Sequence, residues 1–307
     1  MDIRERITKF VSTVPGVVSC KAYGSSIGYQ SGYSKDEKKQ VDLIVMVDDI
    51  KKFYKENLKK NAYMYKLTPK IYFNLASEKT LRKAAGICYT TDINYGGDIY
   101  KMGVIEKKDV LDDLLNWKTY YIAGRFQKEM YTVVSDKEVE KATEINWKNA
   151  VTVTCLLLDK EKPTIIDFYE TLCSLSYKGD SRKALKAEDP NKVKKLASGS
   201  KEYFDKIYKD KTDLFKENKD GVVEINYELV MKEVKNLPSN LYKELKGLDN
   251  TKDLDNNLIK MREIINNYLT NIISSSSKGQ TFKGILTTGP FNSISYAFEK
   301  LKKGRKK

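Results

Sequence analysis

Near its start the chain runs Val17-Val18-Ser19-Cys20-Lys21-Ala22-Tyr23, turns at Gly24-Ser25-Ser26, and returns after a polar stretch as Val41-Asp42-Leu43-Ile44-Val45-Met46-Val47. Two short apolar runs bounded by turn-forming residues read as buried strands. They commit the chain to a sheet with a Gly-Ser turn at the end of one strand and a carboxylate near the start of the next. These residue types suit the handling of a polyphosphate. Glycine lets backbone N–H groups approach phosphate with no Cβ in the way, and the hydroxyls of Ser25 and Ser26 add donors. Asp42 offers a hard oxygen ligand for Mg²⁺, which such sites hold through few carboxylates together with substrate phosphates. The same Gly-Ser turn is equally at home as a plain connection between strands.

The chain has 307 residues, enough for a sizeable core and for division into two domains. With 56 Lys and Arg against 42 Asp and Glu the net charge is +14. Such a surplus favours polyanionic partners: nucleic acid, an anionic membrane surface or phosphorylated substrates. The solvated surface of a lysine-rich sequence accounts for it equally. Cys20, Cys88, Cys155 and Cys173 are widely spaced in apolar sequence and form neither a paired framework nor a zinc pattern, which reads as reduced, buried thiols of a cytosolic protein. The chain has no histidine. That excludes imidazole bases, Ser-His catalysis and His-ligated zinc, and leaves carboxylate, amide, lysine and arginine chemistry. Met1-Asp2-Ile3-Arg4-Glu5 carries no signal-peptide pattern, and no apolar run approaches the roughly 20 residues of a membrane-spanning helix. The expectation is a soluble or peripheral protein.

Helical spacing of Ile3, Ile7, Phe10 and Val11 predicts a helix over 2–13 that stops before Pro15-Gly16, and Asp48-Asp49 opens a basic amphipathic helix to about Asn57. Further strands are expected at 70–74 and 99–105, which makes the first part α/β. From Asp109 onward the pattern is mostly helical, at 109–117, 136–158, 164–176, 191–213, 226–235 and 255–273. The charged segment 198–221 reads as an exposed helix or hinge, and Ser274 to Gly279 as a short flexible break.

Beyond the opening cassette, Lys101 beside Gly103 reads either as a phosphate ligand or as a snorkelling surface lysine. Arg125 and Lys128 follow a tyrosine-rich helix, and a guanidinium binds phosphate bidentately. In Ser176-Tyr177-Lys178-Gly179-Asp180-Ser181-Arg182 a turn presents a carboxylate next to an arginine, to hold a metal or a ribose or simply to cap the next helix. The last residues combine Phe291, Ile294, Phe298 and Leu301 at helical spacing with the cationic end Lys302-Lys303-Gly304-Arg305-Lys306-Lys307. Such a segment docks on anionic lipid, or else packs on the core with a frayed basic tail.

In collinear order, Tyr23-Gly24-Ser25-Ser26, Val41-Asp42-Leu43-Ile44, Tyr72-Phe73-Asn74, Lys101-Met102-Gly103, Ala123-Gly124-Arg125, Gly179-Asp180-Ser181-Arg182 and Lys283-Gly284-Ile285-Leu286-Thr287-Thr288-Gly289 resemble the mitochondrial translocator assembly and maintenance protein family, the mitochondrial-type phosphatidate cytidylyltransferases. The resemblance spans nearly the whole chain. It implies an α/β nucleotidyltransferase domain of the DNA polymerase beta-like type over 1–130, a mainly helical, winged-helix-like domain over 131–288, and an amphipathic basic segment over 289–307. The implied reaction makes CDP-diacylglycerol and pyrophosphate from CTP and phosphatidate with Mg²⁺. Carried over by motif, Gly24, Ser25 and Ser26 cradle the triphosphate, Asp42 binds metal with Asn74 as a candidate second ligand, and Lys101 and Arg125 neutralise phosphate. Asp180 and Arg182 complete the cleft, and Lys302, Lys303, Arg305, Lys306 and Lys307 meet an anionic membrane surface. Ile44 stands where this superfamily prefers a second acid, and Ser26, Met102, Gln127 and Glu129 also depart from the usual pattern. The N-terminus points to a bacterial member, cytoplasmic and peripheral on the inner face of the cell membrane, with an isologous homodimer unsurprising. Two alternatives keep the basic surface in view: nucleotidyl transfer to RNA or protein, and a non-catalytic nucleic-acid-binding module.

Overall fold

A computed structural model describes residues 2–24, 26–27, 40–179 and 191–288. The two strands of the cassette form as β1 (Ser19–Tyr23) and β2 (Val41–Val47) and pair antiparallel. With β3 (Cys88–Tyr95), β4 (Asp98–Glu106) and β5 (Met130–Val134) they make a five-stranded sheet in the order β3-β4-β2-β1-β5, in which β2 and β4 run parallel and the other pairs antiparallel. Because β5 belongs to this sheet, the sheet extends past residue 130, where the two halves were expected to divide.

Strand alternation sends the residues of β2 to two different cores. Leu43, Val45 and Val47 pack with Ile7 and Phe10 of α1 (Ile3–Ser12), Phe53 and Tyr54 of α2 (Ile50–Lys60) and Phe73 of α3 (Leu67–Leu75). Ile44 and Met46 face the other way, into the cluster of Trp117, Phe126 and the helical half. Helix starts follow their caps: Asp2 makes a capping box with Glu5, and the Asp49 carboxylate accepts from the Lys52 N–H at 2.8 Å.

The strand expected at 70–74 is a helix instead. Pro69 and Phe73 are buried four residues apart, a helical period, and Phe73 stacks on Tyr54 at 3.8 Å. Pro69 lies in the first turn of α3, where a missing N–H breaks no intrahelical bond. β3 and β5 were not expected at all; their inward residues are interrupted by polar ones and by an irregularity between Thr90 and Ile93.

The helical half is built on α7 (Lys137–Leu157), followed by α8 (Ile165–Ser174), a 3₁₀ turn Leu175–Tyr177, helices Lys192–Gly199 and Lys201–Ile207, a two-stranded hairpin Phe215–Glu217 with Val223–Ile225, helices Tyr227–Val234 and Ser239–Leu245, and the long helix Leu254–Thr288. Segment 198–221 is not an exposed hinge: of its four aromatics Phe204, Tyr208 and Phe215 are buried and Tyr203 packs half-buried against the core. Nor does the long helix break at 274–279. Ser276 is buried there with its hydroxyl on the Ile273 carbonyl, and a Cβ added at Gly279 would stand 3.0 Å from that of Ala84, so small residues allow close helix packing. No helix among the described residues is long and apolar enough to cross a membrane.

Candidate functional site

The cassette meets β4 at one end of the sheet. Register places Tyr23 opposite Asp42 and Asp42 opposite Lys101, and alternation turns all three toward the helical half. Lys101 Nζ lies 3.7 Å from Asp42 Oδ1, with both side chains about a quarter exposed (23% and 28%). Gly24 has φ +88°, and a Cβ there would stand 3.2 Å from Asp42 Oδ2, so glycine supplies both the turn and room beside the carboxylate. On its other side Lys101 Nζ sits 4.6 Å above the ring of Tyr89. That ring lies on Gly103, where a Cβ would fall 2.6 Å from Tyr89 Cε1.

Arg125 reaches this row from α6 (Ala123–Phe126). The buried Asp113 of α5 (Lys107–Asn116) holds the approach to that helix. Its Oδ1 accepts from the N–H groups of Thr119 and Tyr120 at 2.6 and 2.9 Å, and its Oδ2 from those of Ile122 and Ala123 at 2.8 and 3.0 Å. Arg125 donates to the Tyr121 carbonyl, and its guanidinium stacks 3.7 Å from the Tyr121 ring. Burial works against the guanidinium's charge, but Tyr121, Tyr89 and Tyr23 outweigh it and raise the pKa above its ordinary value. Burial also pushes the Tyr23 phenol up, assisted by the charge of Asp42. Tyr23 therefore interacts with both the carboxylate and the guanidinium, which links the two electrostatically.

More cations line the approach from the helical half. Lys128 bonds the Ser176 hydroxyl and sits 4.5 Å from the Tyr177 ring, with Lys192 5.1 Å from the same ring. Burial lowers the Lys128 ammonium's pKa, with Tyr177 opposing. Gly124 permits the contact: a Cβ there would stand 2.6 Å from Ser176 Cβ.

Ser26 continues the Gly24 turn, and its Oγ is buried with no hydrogen-bond partner. Asn74 goes elsewhere. It is exposed near the end of α3, its carbonyl accepts from Lys51 at 2.7 Å, and Lys51 follows the C-terminal end of β2, whereas Asp42 stands at the N-terminal end. Ser25, Asp180, Arg182, Lys302, Lys303, Arg305, Lys306 and Lys307 lie outside the described residues. Among the described residues no group of three or more acids, cysteines or histidines is placed to hold a metal. A single carboxylate, Asp42, beside the Gly24 turn fits an ion whose other ligands come from the phosphates it accompanies, and the orphaned Ser26 hydroxyl lies two residues along that turn. Sequence reading missed Tyr23, Tyr89, Tyr121 and Asp113. The parity of Tyr23 with Asp42 across the turn was the available signal for the first of these; Asp113 looks in sequence like an ordinary helix acid.

Residues 7–303 match the family described as "Phosphatidate cytidylyltransferase, mitochondrial". The chain belongs to this family. Among curated phosphatidate cytidylyltransferases, all named mitochondrial, it is 31% identical to that of Schizosaccharomyces pombe, over 99% of this chain and 84% of the relative. It is 29% identical to that of Dictyostelium discoideum, over 99% and 86%, and 30% identical to that of Bos taurus, over 96% and 93%. These names overturn the expected placement at the inner face of a bacterial cell membrane, since the family's relatives point to mitochondria. The expectation rested on the pattern of a few N-terminal residues, which does not report a compartment.

Proposed function

We propose that this chain transfers CMP from CTP to phosphatidate, making CDP-diacylglycerol and releasing pyrophosphate, in a DNA polymerase beta-like domain joined to a winged-helix-like one. The observation that carries the reading is the junction of Gly24, Asp42 and Lys101 at one sheet end, with Arg125 delivered to it from α6. The hairpin among the helices of the second half supports the winged-helix assignment.

In the reaction a phosphatidate phosphate oxygen attacks the α-phosphorus of CTP, a new P–O bond forms, and the bond to the β-phosphate breaks. A phosphate monoester has a second pKa of about 6 and is largely ionised at neutral pH, so no general base is needed, in keeping with a chain without histidine. The work is positioning and charge neutralisation. Gly24 with Ser25 and Ser26 cradles the triphosphate. Lys101 exchanges its contact with Asp42 for phosphate, and Arg125, always protonated, balances charge that develops on the leaving pyrophosphate. Mg²⁺ held by Asp42 and by triphosphate oxygens would supply further neutralisation and a template for in-line attack. Asp180 and Arg182 extend the cleft from the second half, and residues 289–307 with Lys302, Lys303, Arg305, Lys306 and Lys307 meet the anionic surface in which phosphatidate resides.

Pyrophosphate release is measured with Mg²⁺, phosphatidate in mixed micelles, and each ribonucleoside triphosphate in turn. Release only with CTP and phosphatidate, with a lipid product carrying CMP, is the expected result. Release without phosphatidate, or labelling of RNA or protein instead, assigns another acceptor.

A further inference from the structure

Large apolar side chains exposed on this protein are mostly scattered, which is normal for a soluble surface. α3 departs from that. Leu67, Ile71 and Leu75 recur every fourth residue along its outer face and are 74%, 51% and 80% exposed. Pro69 and Phe73 on the opposite face are buried in the core. Tyr63, 57% exposed, precedes the helix, and Phe282, 69% exposed, stands on the long helix that packs along it. The ridge is held firmly. Lys51 donates to the carbonyls of Phe73, Asn74 and Ala76 and clamps the C-terminal end of α3, while at the N-terminal end Lys66 lies 3.7 Å from Asp92 of β3 in an exposed ion pair.

Lysines outnumber acids around the ridge, although Asp92 faces Lys66. No acid occurs from Lys66 to Ser77, and Lys66 and Lys70 flank Leu67 and Ile71. The neighbouring α2 exposes Lys52 and Lys55 against the single acid Glu56. An apolar ridge of long side chains and one aromatic, rimmed by lysines, is the composition that lies in the headgroup layer of an anionic bilayer. A protein partner would be met through acids and amides as well, and this face offers few. Asp92 lies on β3 beside the register of Tyr100 and Lys101, so the Lys66 end of the ridge is at the same end of the sheet as Asp42.

We propose that Leu67, Ile71 and Leu75, with Phe282, form a membrane-docking ridge that inserts among the headgroups of a phosphatidate-containing bilayer. The choice of a lipid occupant rests on the phosphatidate reading above. Docking there holds the protein on the surface from which the acceptor is drawn, through a helix on the sheet face opposite Asp42, and it is separate from any contribution of residues 289–307.

The test compares the full-length chain with the Leu67→Gln/Ile71→Gln/Leu75→Gln variant. Flotation is measured with phosphatidylcholine vesicles with and without phosphatidate. CMP transfer is measured to phosphatidate held in vesicles and to a short-chain phosphatidate kept monomeric. The ridge predicts a loss of about tenfold or more in binding to phosphatidate vesicles, a matching loss of transfer to vesicle-borne acceptor, and unchanged Tm and unchanged transfer to the monomer. Undiminished vesicle binding overturns the proposal. So does a shift from dimer to monomer in the variant with vesicle binding retained, which assigns the ridge to a second copy of the chain. Lost vesicle binding with no CMP transfer by either protein to either acceptor leaves the ridge standing and sinks the catalytic reading. In a second variant, Ile71→Trp, brominated acyl chains quench the new fluorescence if the ridge inserts, and an unquenched signal counts against it.

Discussion

Asp42 is the carboxylate on which the proposed chemistry turns, and its surroundings separate function from stability. It is about a quarter exposed beside Lys101, so Asp42→Asn keeps the shape and removes only the charge. Turnover is expected to fall by at least about a hundredfold, with Tm within a degree or two of the unaltered chain; pyrophosphate release and a thermal melt check both. Lys101→Met, which leaves the Tyr89 ring without its cation, is expected to lower kcat/KM for CTP by a similar factor, and Lys101→Arg to recover part of it. An undiminished kcat/KM in Lys101→Met would place Lys101 outside the triphosphate site. The parity of Asp42 with Tyr23 and Lys101 follows from strand alternation, whereas the tyrosine cage of Arg125 brings together residues from β1, β3 and the turn before α6.

At the level of elements, the site depends on two devices that touch no substrate. Asp113 gathers four backbone N–H groups and the Thr119 hydroxyl on one carboxylate and so aims α6 and Arg125. In Asp113→Asn an NH₂ group replaces one acceptor oxygen inside a cage of donors. The expected cost is roughly 1–3 kcal/mol or more, read by urea denaturation, with a fall in kcat/KM for CTP that exceeds what partial unfolding explains. Gly103 carries the Tyr89 ring, and Gly103→Ala places a methyl 2.6 Å from Tyr89 Cε1 and from Ile87 Cδ1. Overpacking of this kind costs about 1–3 kcal/mol, so Tm drops and the seat of Lys101 shifts; an unchanged melt would mean that the ring moves aside freely. The helix at 67–75 shows why element type was misread there. Its buried residues recur every four positions, but Tyr72-Phe73 in a short aromatic stretch carries strand propensity, and packing on Tyr54 decided the outcome.

Across the whole molecule the long helix Leu254–Thr288 ties the two halves together. It contacts α3, β3, α7 and the 3₁₀ turn that holds Lys128. Gln280 donates to the Ile87 carbonyl at 2.9 Å, and the buried Lys283 ammonium donates to the carbonyls of Leu81 and Lys83. Burial pulls the Lys283 pKa below its ordinary value, with Cys88 opposing. The unfolded chain therefore holds more protons than the folded one between the lowered pKa and the ordinary lysine value of about 10.4. Stability contributed by this group accordingly rises with pH through that window and is least below it. Denaturation of the wild type and of Lys283→Met on either side of the window should show the difference moving in favour of the wild type as pH rises. A flat difference would mean that the ammonium is as well solvated by the carbonyls as by water.

The amino-acid order alone determined the opening sheet unit, the Asp42 carboxylate, the helical second half and, through collinear motifs, the family. Each of these is a local or periodic signal: alternation along a strand, a cap before a helix, a glycine where a chain must turn. Tertiary structure decided what such signals cannot carry. It turned 70–74 into a helix, buried most of the sparse aromatics of 198–221, kept 274–279 helical with Gly279 against Ala84, separated Asn74 from Asp42 along the length of β2, gathered Tyr23, Tyr89 and Tyr121 about Arg125, and set Asp113 at the start of its helix. These outcomes depend on which surfaces meet across long sequence separations, where the free energy of burial and of satisfying polar groups outweighs local preference.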